Sequence, residues 1–478
     1  MSNQQISERQ AYKNWVSPTL NFSSVNEGEM YDVGIEGLGI TGAFNLYVLS
    51  FTNLRVFGVE RYPNVALVNS NTHQNAQSWH GGPEETNFGF DKTMIMRVCE
   101  LVGGAFLESF GQGAFMHLPK MALAVGQEEV DTLWQRFLDL REYFPALEFM
   151  DKKVLEEREP ALIIGRYPQI PVVAMGRQNG YAVDYHRVAL CLMREVQDRT
   201  KNIDAQFNTN VEKVVKHANH FEVITDKGTY KCRVFIATAG AYSLKLAQDF
   251  DAVDKEGESA KNFVAHPVAG SFYKTKKLLN SKVYPMQDPK FPFARAHADP
   301  AVHDDSILRF GPTAKWIPFM ERYHWSSVID YMKSGILTPQ GVISSFGLFR
   351  DPDMIKFMAK NMFYDFPVFG KRSFLKQAAK HIIPTLELDD LEFIPGDGGL
   401  RPQLLNTRTR KLQMGTGKFF SENFIADHTP SPGASSSGRN GVINTKYVVK
   451  WRGQKYYFDE NAFYEEIRLR TPVVITID

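Results

Sequence analysis

Cysteine is scarce in this sequence: three in 478 residues. Cys99, Cys191 and Cys232 are widely separated, which excludes the CxxC spacing of a zinc site and the even count of a disulfide framework. A reducing compartment and no metal are expected. An excess of one charge is also missing, since 55 Lys and Arg stand against 54 Asp and Glu. The basic surplus required for nucleic-acid binding is therefore absent, and no nucleic-acid partner is expected. No apolar run reaches the roughly 18 residues that span a bilayer. The polar opening MSNQQISERQAYKNW lacks the basic flank and apolar stretch of a secretory leader, so none is expected. Internal repeats and low-complexity tracts are lacking too. Aromatic residues, in contrast, are abundant, with 35 Phe and 19 Tyr. They fit ordinary core packing, or surface segments that rest on lipid without crossing it.

The length suits one large two-part fold or two to three domains. After a loop-like N-terminal stretch, YDVGIEGLGITGAFNLYVLS reads as strand, glycine turn and helix, and RVFGVERY as a second strand. This βαβ unit places the turn at the carboxyl edge of a parallel sheet, where cofactors bind. From Asp91 to Glu159 the spacing predicts mostly helix, stopped at Pro160. HRVALCLMREVQDRT reads as a helix, and HFEVITDKGTYKCRVFIATAGAY as a hairpin leading into a buried strand. Residues 262–393 alternate between strand-like and helical patterns. The sequence thus predicts an α/β protein: a Rossmann-like, glutathione-reductase-like dinucleotide domain (31–90, 170–260, 394–445) with an inserted α+β substrate domain (91–169, 261–393). The C-terminal residues 446–478 read as a strand hairpin, a helix and an edge strand.

The Gly37-x-Gly39-x-x-Gly42 turn opens a helix, so backbone N–H groups can meet a pyrophosphate while missing Cβ atoms permit close approach. Glu60, at the end of the second strand, can accept hydrogen bonds from ribose hydroxyls. Glu36 stands where a buried aliphatic residue is usual and Gly34 thins the same strand; Glu36 either reaches a polar neighbour or weakens cofactor binding. The polar loop NSNTHQNAQSWHGGPEETNF, which holds Asn75, Gln77 and His80, suits the neighbourhood of a flat ring, with His80 able to orient substrate or take a proton. A lone histidine is more often structural, which applies equally to His73 and His266. His297, Arg309 and Arg401 read as a roof in which two arginines bind a dicarboxylate and a histidine deprotonates a hydroxyl; a salt-bridge role for either arginine stays open. Gly398 lies in the glycine-rich turn before Arg401. Thr429–Ser435 (TPSPGAS) either presents backbone donors through Pro432, Gly433 and Ala434 at a helix start or forms a plain turn.

Together the glycine turn with Glu60, NAQSWHGGPEETNF, ATAGAYSLKLAQ, HPVAGSFY, PFARAHADP, RFGPTA, FGKRSFLKQAAKHIIPTLELDDLE, GGLRPQLLN and TPSPGAS resemble the malate:quinone oxidoreductases, from about Tyr31 to Asn440. The resemblance implies noncovalent FAD across Gly37, Gly39, Gly42, Glu60, Val211, Gly240 and the Gly433 loop, with substrate near His80, His297, Arg309 and Arg401. It implies oxidation of malate or a similar 2-hydroxy acid, with His80 or His297 as base and quinone as acceptor. It also implies peripheral attachment to a membrane surface or membrane complex, on a bacterial cytoplasmic face or the mitochondrial inner membrane.

The chain departs from the family at Glu36, at SSSGRNG, which is expected to break the helix after TPSPGAS, and in the residues beyond Asn440. These departures keep two other readings open: a degenerate member serving as an accessory subunit of a membrane complex, and a relative acting on 2-hydroxyglutarate or an amino acid. The C-terminal extension either docks a partner or packs on the protein itself.

Overall fold

The computed structural model describes residues 3–288, 295–348, 351–366, 368–413, 417–428, 432–469, 471 and 473–476. The N-terminal stretch is not all loop, for it contains helix α1 (Asn3–Lys13). Eleven mostly polar residues are too few to hold a helix in water. Tertiary contacts hold this one: Tyr12 donates to Asp184 at 2.8 Å, and the Arg187 guanidinium lies 3.5 Å over the Tyr12 ring.

Strand β1 (Met30–Glu36) buries Tyr31, Val33 and Ile35 completely. Such a strand belongs in the interior of a parallel sheet, which buries both faces. After the glycine turn come helix α2 (Ile40–Leu49) and strand β2 (Val56–Val59). The sheet is completed by β3 (Ile203–Gln206), β4 (Val211–Lys216), β5 (Phe221–Thr225), β6 (Gly228–Ala237), β7 (Lys418–Ser421) and β8 (Phe424–Asp427). Its order is β7-β8-β6-β1-β2-β3, with the β4–β5 hairpin attached to β6. All pairs from β8 to β3 are parallel, and β7 is an antiparallel edge. Gly34 is explained by register, since the Phe57 ring lies 2.5 Å from where its Cβ would stand.

Helix α2 is apolar all round, with nine of its ten residues buried, as a helix enclosed by protein requires. Around it pack α3 (Phe90–Phe110), α4 (Tyr185–Arg199) and α9 (Gly433–Arg452). Between α4 and α9 the chain forms α5 (Ser327–Tyr331), α6 (Pro339–Leu348), α7 (Pro352–Phe363) and α8 (Phe369–Phe374).

A second, eight-stranded sheet runs in the order 392–394, 272–276, 307–311, 297–300, 282–285, 115–125, 172–183, 148–150. It is antiparallel apart from the parallel pairing of 282–285 with 115–125. Residues 91–159 are mostly helical, as expected, but they also supply the strands 115–125 and 148–150 to this sheet. Two expected boundaries also shift. Residues 172–183 pair with 115–125 in the second sheet rather than joining the first. Helix α3 places Val102, Phe106 and Leu107 in the core around α2 rather than in the substrate unit.

The break expected at SSSGRNG is absent, because α9 runs unbroken from Gly433 to Arg452. Ser435, Ser436, Ser437 and Gly438 are buried, and a Cβ on Gly441 would stand 3.1 Å from the Phe44 carbonyl oxygen of α2. Close packing on α2 demands small residues here and overrides their poor helix propensity. The expected strand hairpin after 446 is instead the end of α9, a turn and helix α10 (Glu460–Glu466). Phe463, Ile467 and Ile475 join the core around α2, and Arg452 and Tyr456 both bond Asp32, at 2.6 and 2.7 Å. The extension therefore packs on the protein itself. No helix of the described residues is long and apolar enough to cross a membrane.

Candidate active site

A continuous cavity of about 760 Å³ opens at the carboxyl ends of β1, β2 and β6 and extends to the second sheet. Its first half is the glycine turn. Gly37 adopts φ +86°, which favours glycine, and its carbonyl accepts from Thr238 Oγ1 at 2.6 Å. Gly42 does not line the cavity. A Cβ there would stand 2.1 Å from the Gly37 carbonyl oxygen, so this glycine lets α2 close on the turn. Gly39 caps α2 without a side-chain bond, leaving first-turn N–H groups for an anion. Glu60, nearly buried, accepts from the backbone N–H groups of Leu38 (2.7 Å) and Tyr62 (3.1 Å), which fixes its carboxylate at the cavity wall.

Val211, Gly240, Asn75, Gln77, Pro432, Gly433 and Ala434 line the same cavity. The amides of Asn75 and Gln77 are committed to protein: Asn75 accepts from the Gln77 N–H at 2.9 Å, and Gln77 Oε1 accepts from Val302 N–H at 2.9 Å. Gly398 lies outside the cavity wall. A Cβ there would be 2.2 Å from the Gly270 carbonyl oxygen, so its glycine serves close packing. Of the Thr429–Ser435 donor loop, 429–431 lie outside the described residues, and Gly433 and Ala434 open α9 with no side-chain cap.

Glu36 also lines the cavity, with Oε2 enclosed and without a hydrogen-bond partner among the described residues. Burial pushes its carboxyl up to about 7, partly opposed by Arg61 and aided by Glu60.

His80, His297 and Arg401 reach this one cavity from three segments. His80 Nδ1 lies 2.5 Å from Glu85 Oε1, and Glu85 Oε2 accepts the Gly82 N–H at 2.8 Å. The carboxylate fixes the tautomer, leaving His80 Nε2 without a protein partner among the described residues. Burial lowers the imidazole's proton affinity and outweighs the opposing pull of Glu85, which favours the neutral ring. The His80 N–H donates to Ser435 Oγ of α9 at 2.9 Å, which couples this loop to the helix start. His297 differs. Its Nδ1 is 3.2 Å from the Arg295 carbonyl and its Nε2 is 3.3 Å from Asp299, so both nitrogens face acceptors. The Tyr284 ring packs 4.7 Å from His297 and 6.4 Å from His80.

Arg401 has no carboxylate in ion-pair range among the described residues, and its Nη1 is buried without a partner. Burial pushes the guanidinium down to about 10. An enclosed, uncompensated cation at a cavity wall is a receptor for an anion. Arg309 departs from the expected roof. It is fully buried behind the cavity wall, donating to Gln77 Oε1 at 3.1 Å and lying 3.6 Å from Asp397, with its guanidinium 4.8 Å over the Phe272 ring. Its charge faces Asp397, while its Nη2 holds Gln77 in place. His73 pairs with Asp397 at 3.5 Å, and His266 is buried against Trp316; neither lines the cavity.

Glu85 was not singled out from sequence, although it lies five residues after His80 in the same polar loop. Asp299, Lys282 and Tyr284 carried no sequence signal. Lys282 Nζ sits 2.8 Å from Asp299 in a wholly buried pair that only sheet pairing creates.

An uncapped helix start, an acidic strand end and an unpaired cation in one cavity fit a dinucleotide carrying a redox ring, with an acidic substrate beside it. Fold and cavity together define an oxidoreductase of the two-domain dinucleotide-binding class. The reduced L-alpha-glycerophosphate oxidase of Mycoplasma pneumoniae, solved with FAD bound, superposes with TM-score 0.57 over 88% of this chain and 95% of that one, at 18% identity. The family profile of malate:quinone oxidoreductase (Mqo) matches residues 108–441. The probable malate:quinone oxidoreductase of Campylobacter jejuni is 34% identical over 454 residues, covering 91% of this chain and 99% of its own. The malate:quinone oxidoreductase of Helicobacter pylori is 32% identical over 451 residues, covering 91% and 98%. The chain belongs to the malate:quinone oxidoreductase family.

Proposed function

We propose that this chain binds FAD and oxidises (S)-malate to oxaloacetate, passing the electrons to a membrane quinone while attached peripherally to the bilayer. The observation that carries this reading is the meeting, in one cavity, of the glycine cradle, the His80–Glu85 pair and the unpaired Arg401. Gly37, Gly39, the first turn of α2 and Glu60 would hold the adenosine and pyrophosphate, and the start of α9 the far end of the cofactor. When bound, the flavin supplies a two-electron acceptor for hydride and a donor for quinone.

The remaining chemistry belongs to the chain. Arg401 receives a substrate carboxylate through parallel N–H donors. His80 Nε2 takes the C2 hydroxyl proton as the C2–H bond breaks, and Glu85 stabilises the imidazolium that results. His297, held at Nδ1 by the Arg295 carbonyl with Nε2 facing Asp299, shapes the wall opposite. Packing of the second sheet over the cavity excludes water from the reacting carbon.

The test is the visible spectrum of the purified protein, followed by anaerobic malate. Flavin absorption that bleaches on adding malate is expected. A colourless protein that FAD does not reconstitute overturns the proposal in favour of a non-catalytic subunit, and a coloured one bleached only by another 2-hydroxy acid reassigns the substrate.

A further inference from the structure

Large apolar side chains are exposed unevenly over this molecule. Of the 27 that stand more than a third exposed among the described residues, fourteen fall between Tyr323 and Phe369, a stretch of 47 residues. Trp325 is 79% exposed, Phe369 69% and Phe346 66%. The helices responsible are apolar on two sides. In α7, Met354 and Met358 are buried, yet Ile355, Met362 and Phe363 are exposed. In α6, Val342, Ile343 and Phe346 are exposed within one and a half turns. A helix facing water places charged and polar residues on its outer side, and exposed apolar surface of this extent marks an interaction site.

Charge identifies the partner. Between residues 323 and 376 there are seven Lys and Arg against four Asp and Glu, in a chain whose total charge is only +1. Lys333, Lys356, Arg372 and Lys376 are exposed, and none of them is in an ion pair among the described residues. Apolar and aromatic side chains beside unpaired cations match the boundary between headgroups and acyl chains of an anionic bilayer. Trp325 and Tyr323 suit the same layer, where amphipathic rings concentrate. The segment also adjoins the cavity. Asp330, Lys333 and Ser334 line its edge, and Arg322, just before the patch, donates to the carbonyls of Gly270 and Gly398 beside the Arg401 strand.

We propose that the described residues between 323 and 376, comprising α5 to α8, lie in the headgroup layer of an anionic bilayer and deliver a hydrocarbon-soluble acceptor to the cavity edge at Lys333 and Ser334. Both rest on the function proposed above, docking on its peripheral attachment and delivery on its quinone acceptor, and they name the surface that serves them. The exposed apolar residues displace water into the interface, the basic residues hold the headgroups, and the acceptor enters without leaving the lipid.

The experiment uses flavin-loaded full-length protein and flotation with vesicles of phosphatidylcholine alone or with about one third phosphatidylglycerol. Wild type is expected to float with the anionic vesicles and to be released by salt. The variant W325S/F346S/F363S/F366S, altered only at exposed positions, is expected to lose partition by about tenfold or more. K356E/R372E/K376E is expected to lose binding to anionic vesicles specifically. Both should retain the wild-type melting temperature and malate-dependent reduction of a water-soluble dye, while reduction of vesicle-embedded quinone falls with partition. Wild type that floats with neither vesicle, or variants that float like wild type, overturn the proposal. So does a wild-type dimer that the apolar variant converts to monomer without any vesicle binding, since the patch would then join two copies. Flotation without malate oxidation would leave lipid docking standing and sink the enzymatic reading instead.

Discussion

At the scale of single residues, the contrast between His80 and His297 supports His80 as the proposed proton acceptor. Both were equal candidates by sequence; His80 has Nδ1 bonded to the Glu85 carboxylate and no protein partner at Nε2 among the described residues, whereas His297 Nδ1 meets a carbonyl and its Nε2 lies 3.3 Å from Asp299. Glu85→Gln removes the charge that raises His80's proton affinity and weakens the hold on its tautomer. The expected outcome is a fall in kcat of about 10–100-fold, with the acid limb of the pH–rate profile moved to lower pH. An unchanged limb would place the base elsewhere. Arg401→Gln should raise KM for malate by about 30-fold or more, with flavin content, read by absorbance, unaltered.

Glu36 gives a prediction in the absence of substrate. Its carboxyl binds a proton more tightly folded, at about 7, than unfolded near 4.5. Folding therefore takes up a proton in that window, and stability is lost as pH rises through it. Glu36→Gln should raise stability by about 1–2 kcal/mol at pH 8 and change little at pH 4, as read by urea denaturation at both pH values. Gln keeps the shape but discards the charge, so equal effects at both pH values would exclude titration as the cause.

At the scale of elements, α9 and the residues after it carry more than the sequence shows. Three consecutive serines and a glycine argue locally against helix, and Gly453 beyond them adopts φ +89° at the helix end. Contact with α2 decides otherwise, because α2 presents its own backbone to α9 and only small side chains fit between. Phe463 of α10 then closes the core, 5.4 Å from Phe51 and 6.1 Å from Tyr47. Phe463→Ala should cost about 3–5 kcal/mol, measured by denaturant midpoint. A cost under about 1 kcal/mol would show that the tail is an appendage after all.

For the whole molecule, the cavity is bounded by two sheets and by helix starts far apart in sequence, so a ligand that fills it ties both parts of the chain together. FAD binding should raise the melting temperature, by an amount equivalent to about 2.7 kcal/mol at a hundredfold excess over Kd. Absence of any shift, read by calorimetry, would mean that the cavity does not take the cofactor.

What the sequence determined by itself is the part encoded contiguously. The Gly37–Gly42 turn and Glu60 lie within 24 residues, and their geometry follows from local rules: glycine for positive φ, burial for β1 and a helix start for an anion. Family motifs extended this reading to His80 and Arg401, both of which line the cavity. What tertiary structure alone decided are facts that depend on pairing between distant segments. The His80 backbone meets Ser435 across 355 residues, and strand register turned Arg309 away from the cavity towards Gln77 and Asp397. The unbroken course of α9 depended on contact with α2. Side-chain direction in a strand is fixed by register, and a helix of weak formers is fixed by what it packs against; neither is a property of the residues taken in order.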